Sequence, residues 1–112
     1  MTSKRLCFIL WRTAMEVVFG DDDLDRLETD AKFDAGFPPG GVKAFRKRMQ
    51  MIRSAVDERL FYAMKSAHFE KLQGDRDGQY SMRLNDQWRL ILSFQGKAPD
   101  KIVVVISIED YH

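Results

Sequence analysis

The sequence predicts an α+β domain in which two helices pack on one face of a mostly antiparallel sheet, in the order β-α-α-β-β-β. Two patterns support this fold class. Apolar residues recur every three or four positions in the first half of the chain, whereas short alternating runs separated by turn residues fill the second half. The chain has 112 residues, 45% of them hydrophobic and 12% aromatic, which suffices for one core and excludes two independent domains.

The first strand is predicted at residues 15–19, where Met15-Glu16-Val17-Val18-Phe19 forms a compact run. Residues 1–14 show neither helical nor strand periodicity that continues into it. We therefore interpret residues 1–14 as an N-terminal extension, with disorder as one hypothesis for it, and residues 15–112 as the folded domain.

Two helices are predicted next. The first begins after the acidic run 21–23, whose charges favour a helix N-terminus, and its apolar positions are Leu24, Leu27 and Ala31. The second follows the breaker Gly36-Phe37-Pro38-Pro39-Gly40-Gly41 and carries an apolar stripe. The members of that stripe are Val42, Phe45, Met49, Ile52 and Val56, and further helical turns through Leu60, Phe61 and Met64 extend toward Ala67.

Three strands are predicted in the second half, joined as an antiparallel meander. They cover Tyr80 to Leu84, Trp88 to Phe94 and Ile102 to Ile108, with turns at 85–87 and 95–100. The continuous apolar run 102–106 suggests a strand that is buried on both faces and is therefore central in the sheet.

Charge is unevenly distributed although the formal net charge is only +1. Residues 1–42 contain five bases and eight acids, whereas residues 43–112 contain thirteen bases and nine acids. A near-neutral total argues against nucleic-acid binding only when the charge is spread evenly. The basic C-terminal part is thus available to a phosphate backbone, and the acidic part to a basic partner.

Several functional classes find no support in the sequence. One cysteine excludes an internal disulfide, and two histidines provide no zinc-type cluster. Neither a phosphate-binding glycine loop with its lysine nor a nucleophile elbow occurs. The apolar run from Leu6 to Trp11 is too short to span a membrane. We predict a cytoplasmic protein with no metal, no cofactor and no membrane partner.

Candidate catalytic residues cluster at the chain end. Asp110, Tyr111 and His112 follow the last strand, and alternation places Asp110 and His112 on one face of an extended chain. Histidine suits proton transfer near neutral pH, although a frayed terminus also explains it and is favoured on composition alone. Arg89 emerges from an apolar strand and needs either a carboxylate or a phosphate as partner.

Two groups of bases are candidate phosphate-binding residues. On the second helix, a phosphate-facing surface and a merely solvated one are both consistent with the pattern. The bases of this first group are Lys43, Arg46, Lys47 and Arg53. The second group lies around the turn before the meander and on the following strand, and consists of Lys71, Arg76 and Arg83.

The stretch from Lys71 to Arg89, KLQGDRDGQYSMRLNDQWR, together with the terminal Asp110-Tyr111-His112, resembles the HigB branch of the RelE/ParE superfamily of toxins. Phe33-Asp34-Ala35-Gly36 and the helix from Val42 to Val56 also resemble this family, so the likeness covers residues 15–112. It implies a RelE-like fold. The sequence departs from the family pattern at Glu70 and Gln73, where members often carry histidine and lysine; His68 and Lys71 lie two residues away.

The resemblance implies the toxin of a type II toxin-antitoxin system, namely a ribosome-dependent endoribonuclease (mRNA interferase) that cleaves translated mRNA without a metal and inhibits translation and growth. Its implied partners are the ribosome, mRNA and a HigA-like helix-turn-helix antitoxin. The 2′-hydroxyl would attack the phosphate while His112 transfers protons, Asp110 supports it or acts as base, and Arg89 binds the phosphate. Tyr111 would stack on or position a base, and the two basic groups would bind RNA.

Two alternatives stay open. A ParE-like member of the superfamily would share the fold but inhibit DNA gyrase without cutting RNA, and the terminal Asp-Tyr-His argues against it. The second alternative is a catalytically silent module that binds RNA or the ribosome through the basic helix.

Overall fold

The computed structural model describes residues 14–97 and 100–110. Within these residues the chain forms five strands and three α-helices. Their bounds are β1 Glu16–Phe19, α1 Asp22–Thr29, α2 Pro39–Ser54, α3 Arg59–Ala63, β2 Glu70–Lys71, β3 Gln79–Arg83, β4 Trp88–Gln95 and β5 Ile102–Asp110. Single 3-10 turns occupy Lys65–Ala67 and Gly74–Arg76. The α+β class is confirmed, and the short α3 and β2 add to the predicted order.

Two predictions fall on undescribed parts of the chain. Tyr111 and His112 lie outside the described residues, and so do residues 1–13 of the extension. The roles predicted for both segments therefore stay predictions.

The sheet has the strand order β1-β5-β4-β3-β2. β1 runs parallel to β5, and the other neighbouring strands are antiparallel, as the sequence predicts for a mostly antiparallel sheet. β5 is an interior strand, but β4 is the middle one. The prediction that β5 is buried on both faces is wrong. Val103 and Val105 face the helices and are buried, whereas Ile102 and Val104 lie on the face without helices and are half-buried.

Helix α1 begins where the acidic run predicts. The carboxylate of Asp21 accepts a hydrogen bond from the Asp23 amide at 2.7 Å, which caps the helix, and the remaining acids lie at the positive end of its dipole. Leu24 and Leu27 turn inward and are buried. The helix ends at Thr29, so Ala31 lies in the following turn.

Helix α2 begins at Pro39, a position where proline is favoured because the first helical amides have no partner within the helix. The predicted stripe is buried from Val42 to Ile52. The helix ends at Ser54, because the extended Ala55 offers its carbonyl to the Met15 amide at 2.9 Å. Val56 is consequently exposed, and the predicted continuation toward residue 67 is interrupted.

The core lies between the helices and one face of the sheet. Fully buried side chains from α2 and α3, including Phe45, Met49 and Phe61, pack in one cluster with Leu92 and Val105 from the sheet. β1, β3, β4 and β5 contribute apolar residues to this layer, because successive side chains point to opposite faces, whereas both residues of β2 are exposed. The opposite face of the sheet remains open. No helix among the described residues is long and apolar enough to cross a membrane.

Candidate active site

The open face of the sheet carries the polar side chains of the central strands. On β4, Arg89 and Ile91 point to this face, where Ile91 is itself buried, and they alternate with Leu90 and Leu92 of the core. Across the strands, Arg89 lies opposite Glu109 and Arg83, so three charged residues form one row on this face.

A β-bulge in β5 decides which residues of that strand reach the open face. Ile91 pairs with Ser107 but Leu92 pairs with Val105, so that Ile106 is the extra residue. Such an insertion reverses the alternation beyond it. Ser107 and Glu109 therefore face away from the helices, whereas strict alternation would place both on the side of the buried Val105.

A shallow pocket of about 160 Å³ lies at the C-terminal end of β5 on this face. Its charged lining consists of Glu70, Arg76, Arg89, Glu109 and Asp110. Its uncharged lining is Leu72, Ser81 and Ile91. The pocket brings together three residues that the sequence singles out, Arg76, Arg89 and Asp110, from three separate segments of the chain.

Arg76 and Glu109 form a bidentate ion pair at one wall of the pocket. The two terminal guanidinium nitrogens of Arg76 donate to the two Glu109 carboxylate oxygens at 2.8 and 2.6 Å. Arg76 Nε donates to Oε1 of Gln79 at 3.1 Å, and the Ser107 hydroxyl donates to Glu109 at 3.1 Å. The hydrogen bonds from Arg76, followed by that from Ser107, lower the pKa of Glu109 despite partial burial, so this carboxylate stays ionised.

Asp110 stands at the end of β5, where Gln87 Nε2 donates to its carboxylate at 3.4 Å. It is exposed at the pocket edge, and Tyr111 and His112 continue the chain from it. Arg89 presents its guanidinium group from the strand beside it, with the Nε atom buried. This arrangement places a cation and a carboxylate where a phosphate could enter from solvent.

Glu70 is the pocket residue that sequence reasoning did not assign. β2 pairs Glu70 with Ser81 and Lys71 with Tyr80, so Glu70 faces the pocket and Lys71 faces the other side of the sheet. The Glu70 carboxylate forms no hydrogen bond or ion pair within the described part of the chain. The sequence signal that could have identified this residue is its departure from the family pattern, in which histidine often occupies this position.

The basic residues of α2 lie on the helical layer, away from the pocket. Lys43, Lys47 and Arg48 line an open groove of about 1010 Å³ that extends to Arg83 and Asp86 at the β3–β4 turn. Arg83 pairs with Asp86 there. Burial beside Arg83 lowers the pKa of Arg48, whose Nε donates to the Arg83 carbonyl at 3.2 Å.

Two of the predicted RNA-binding residues form hydrogen bonds with other segments of the protein. Arg46 donates to the carbonyls of Leu27, Asp30 and Phe33 at 3.0, 2.9 and 3.1 Å. Arg53 holds Glu28 through two hydrogen bonds of 2.7 Å, which join α2 to α1 and raise the pKa of Arg53. RNA contact by these two residues stays a prediction beside a clear intramolecular role.

Metal ligands do not converge in the described ranges 14–97 and 100–110, where no three His, Cys, Asp or Glu side chains come together in a way that could hold an ion. The absence of a metal from the mechanism stays a prediction. The arrangement at the pocket is instead one of arginines facing carboxylates, which suits binding of an anionic group and transfer of protons.

Solved structures with a similar fold are toxins. The fold is similar to that of the YoeB/ParE toxin from Agrobacterium tumefaciens, with a TM-score of 0.51 and 19% sequence identity over 88% of this chain and 100% of that chain. A YoeB dimer from Staphylococcus aureus has a TM-score of 0.49 and 19% identity, over 89% of this chain and 99% of its own. The likeness to the Agrobacterium structure shows a RelE/YoeB-like fold. A comparison with curated proteins gives no match.

The sequence pattern of one protein family matches residues 17–112. That family is described as the RelE-like toxin of type II toxin-antitoxin system HigB. The chain belongs to this family of HigB-like toxins, and the resemblance carried by the segment 71–89 is confirmed. Membership in a type II toxin-antitoxin family also implies an antitoxin partner.

Proposed function

We propose that this toxin is a ribosome-dependent endoribonuclease that cleaves translated mRNA in the cytoplasm and is held inactive by a HigA-like helix-turn-helix antitoxin. The observation that carries the proposal is the convergence of Arg89, Asp110 and Glu70 on one pocket of the open sheet face. In the sequence, Tyr111 and His112 follow Asp110 directly, and they supply the aromatic ring and the imidazole that the proposed cleavage uses.

The proposed reaction is attack of a 2′-hydroxyl on the adjacent phosphate, and it requires a base, an acid and a cation. Glu70 takes the 2′-hydroxyl proton, because its carboxylate lines the pocket and forms no hydrogen bond or ion pair with the described residues, whereas Glu109 is held by Arg76. The 2′-oxygen then bonds to phosphorus, the bond from phosphorus to the 5′-oxygen breaks, and His112 donates a proton to that oxygen. The products are a 2′,3′-cyclic phosphate and a free 5′-hydroxyl.

The remaining pocket residues stabilise charge and orient the substrate. The Arg89 guanidinium binds the phosphate oxygens, on which negative charge builds up in the transition state. Asp110 supports the imidazole of His112, and Tyr111 stacks on a base. Lys43, Lys47, Lys71 and Arg83 lie outside the pocket and bind phosphates of mRNA or of the ribosome there, an interaction that salt weakens.

The test is cleavage in a translation extract programmed with one mRNA, followed by mapping of the new 5′ ends. Wild-type toxin gives cuts in phase with codons, and His112→Ala reduces their rate by about 100-fold or more, as expected for loss of a proton donor. The melting temperature of His112→Ala is measured in parallel, so that loss of folding is distinguished from loss of catalysis. The matched control is Lys97→Ala, an exposed base outside the pocket, which cleaves as wild type does.

Other outcomes would identify the alternatives. Growth arrest with intact mRNA and a defect in DNA supercoiling would indicate a ParE-like gyrase inhibitor. Ribosome binding without any cut would indicate a silent RNA-binding module. Full cleavage by His112→Ala would refute the catalytic assignment.

A further inference from the structure

The Arg76–Glu109 ion pair connects two segments that the sheet itself does not join. Arg76 lies in the 3-10 turn between β2 and β3, and Glu109 lies near the end of β5, 33 residues later. β4 separates β3 from β5 in the sheet, so the pair crosses over β4 on the open face. Its position there is beside Arg89, which is the β4 residue opposite Glu109.

We propose that Arg76 and Glu109 form a clamp that positions the catalytic residues rather than binding RNA directly. This inference rests on the proposed endoribonuclease activity. Glu109 immediately precedes Asp110 and the terminal Tyr111 and His112, and Arg76 follows the strand that carries Glu70. The clamp therefore holds the turn after β2, the strand that carries the proposed base, against the end of β5 beside Arg89 and Asp110.

The hydrogen-bonding capacity of Arg76 supports a positioning role. Three of its five N–H groups already donate hydrogen bonds, two to Glu109 and one to Gln79. The two hydrogen bonds to the Glu109 carboxylate have bidentate geometry. A phosphate would have to compete with Glu109, which the Ser107 hydroxyl holds in place from the same strand. Most of the guanidinium donors are thus occupied by protein groups before substrate arrives.

The site of the pair also points to positioning rather than to stability of the fold. The Arg76 and Glu109 side chains are 41% and 40% exposed, and ion pairs with such exposure contribute little to folding. Strand ends and turns are the parts of a domain that open most readily. A cross-link between this turn and this strand end restricts local motion at the pocket while barely affecting global unfolding.

The experiment measures kcat and KM for cleavage of ribosome-bound mRNA by the single variants Arg76→Ala and Glu109→Gln and by the charge swap Arg76→Glu with Glu109→Arg. Each single variant loses about 10- to 100-fold in kcat, since small misplacements of catalytic groups have effects of this size, while KM stays within about twofold. The melting temperature stays close to that of wild type. The swap is more active than either single variant because it restores the pair.

The matched control is Glu58→Gln. Glu58 pairs with Lys101 at 2.7 Å, 43 residues away, with side chains that are 30% and 24% exposed, and this pair lies outside the pocket. Cleavage by this variant equals that of wild type. If Arg76→Ala instead raises KM and reduces the salt dependence of binding while Glu109→Gln is fully active, Arg76 contacts RNA directly and the clamp is refuted.

A second measurement keeps the clamp separate from the proposed function. Amide hydrogen exchange of the intact protein reports opening without any catalysis. Arg76→Ala speeds exchange at 107–109, and Glu109→Gln speeds exchange at 74–78, whereas Glu58→Gln changes neither segment. Exchange that changes only around the substituted residue overturns the clamp. If the two variants show these changes in exchange but the wild-type protein does not cleave mRNA, only the proposed function is overturned.

Discussion

Replacing Arg46 by alanine tests whether this residue serves the fold or RNA. Its guanidinium donates to three carbonyls, those of Leu27, Asp30 and Phe33, which lie in α1 and in the loop that follows it. The Leu27 carbonyl lies in the last turn of α1 and has no partner within the helix, so Arg46 satisfies a group that would otherwise depend on water. The Asp30 carbonyl also accepts a hydrogen bond from the Phe33 amide, and Arg46 adds a second one. The side chain is half-buried, which makes these hydrogen bonds worth more than those of a surface arginine.

The magnitude follows from the number of bonds. Three hydrogen bonds at a net value of about 1 kcal/mol each give about 3 kcal/mol, and partial exposure of the site reduces this to about 2 kcal/mol. In a domain of this size such a loss lowers the melting temperature by about 8–15 °C. Denaturant unfolding monitored by circular dichroism measures the free energy directly, with Tm from a thermal scan as a second readout.

The neighbouring Lys47→Ala is the control, because Lys47 is exposed and forms no hydrogen bond or ion pair with the described residues. We expect its free energy of unfolding to stay within about 0.5 kcal/mol of wild type. An Arg46→Ala protein that is as stable as wild type but has lost affinity for RNA would refute the structural role and restore the interpretation based on sequence.

Three further predictions concern the pocket and the core. Glu70→Gln lowers kcat for mRNA cleavage by about 100-fold or more at unchanged Tm, whereas Glu58→Gln does not; a fully active Glu70→Gln removes Glu70 as the base. Phe45→Ala costs about 3–5 kcal/mol in denaturant unfolding because the ring is fully buried, and a loss below about 1 kcal/mol contradicts its place in the core. NMR titration finds the pKa of Glu109 below its ordinary value of 4.5 and higher in Arg76→Ala than in wild type. Because the folded-state pKa is lowered, the pair stabilises the protein above pH 4.5 and the effect disappears as pH falls through the lowered pKa; equal pKa values in the two proteins would disprove the pairing.

The helices show what periodicity can predict. The stripe from Val42 to Ile52 is buried as its spacing requires, because the side that a helix presents to the core depends on the local sequence alone. The end of α2 was not predictable in this way. Ala55 leaves the helix to accept a hydrogen bond from Met15, a residue 40 positions earlier, and local propensity contains no information about that contact.

The pocket shows the same limit at the level of single charges. Arg89 and Asp110 were recognisable from sequence, one as a base within an apolar strand and the other beside the terminal histidine. Glu70 and Glu109 were not, since acidic residues near a strand end are ordinary surface residues in most contexts. Their role emerges from the pairing of β2 with β3 and of β4 with β5.

The sequence by itself determined the α+β class, the apolar stripe of α2, the meander of strands and the membership in the HigB-like family, because each depends on local pattern or on a contiguous motif. The tertiary structure decided which face each charged side chain occupies. In a strand the side chains alternate with a period of two, so one extra residue, Ile106, reverses the direction of everything beyond it. That reversal brings Glu109 to Arg76 and completes the charged lining of the pocket.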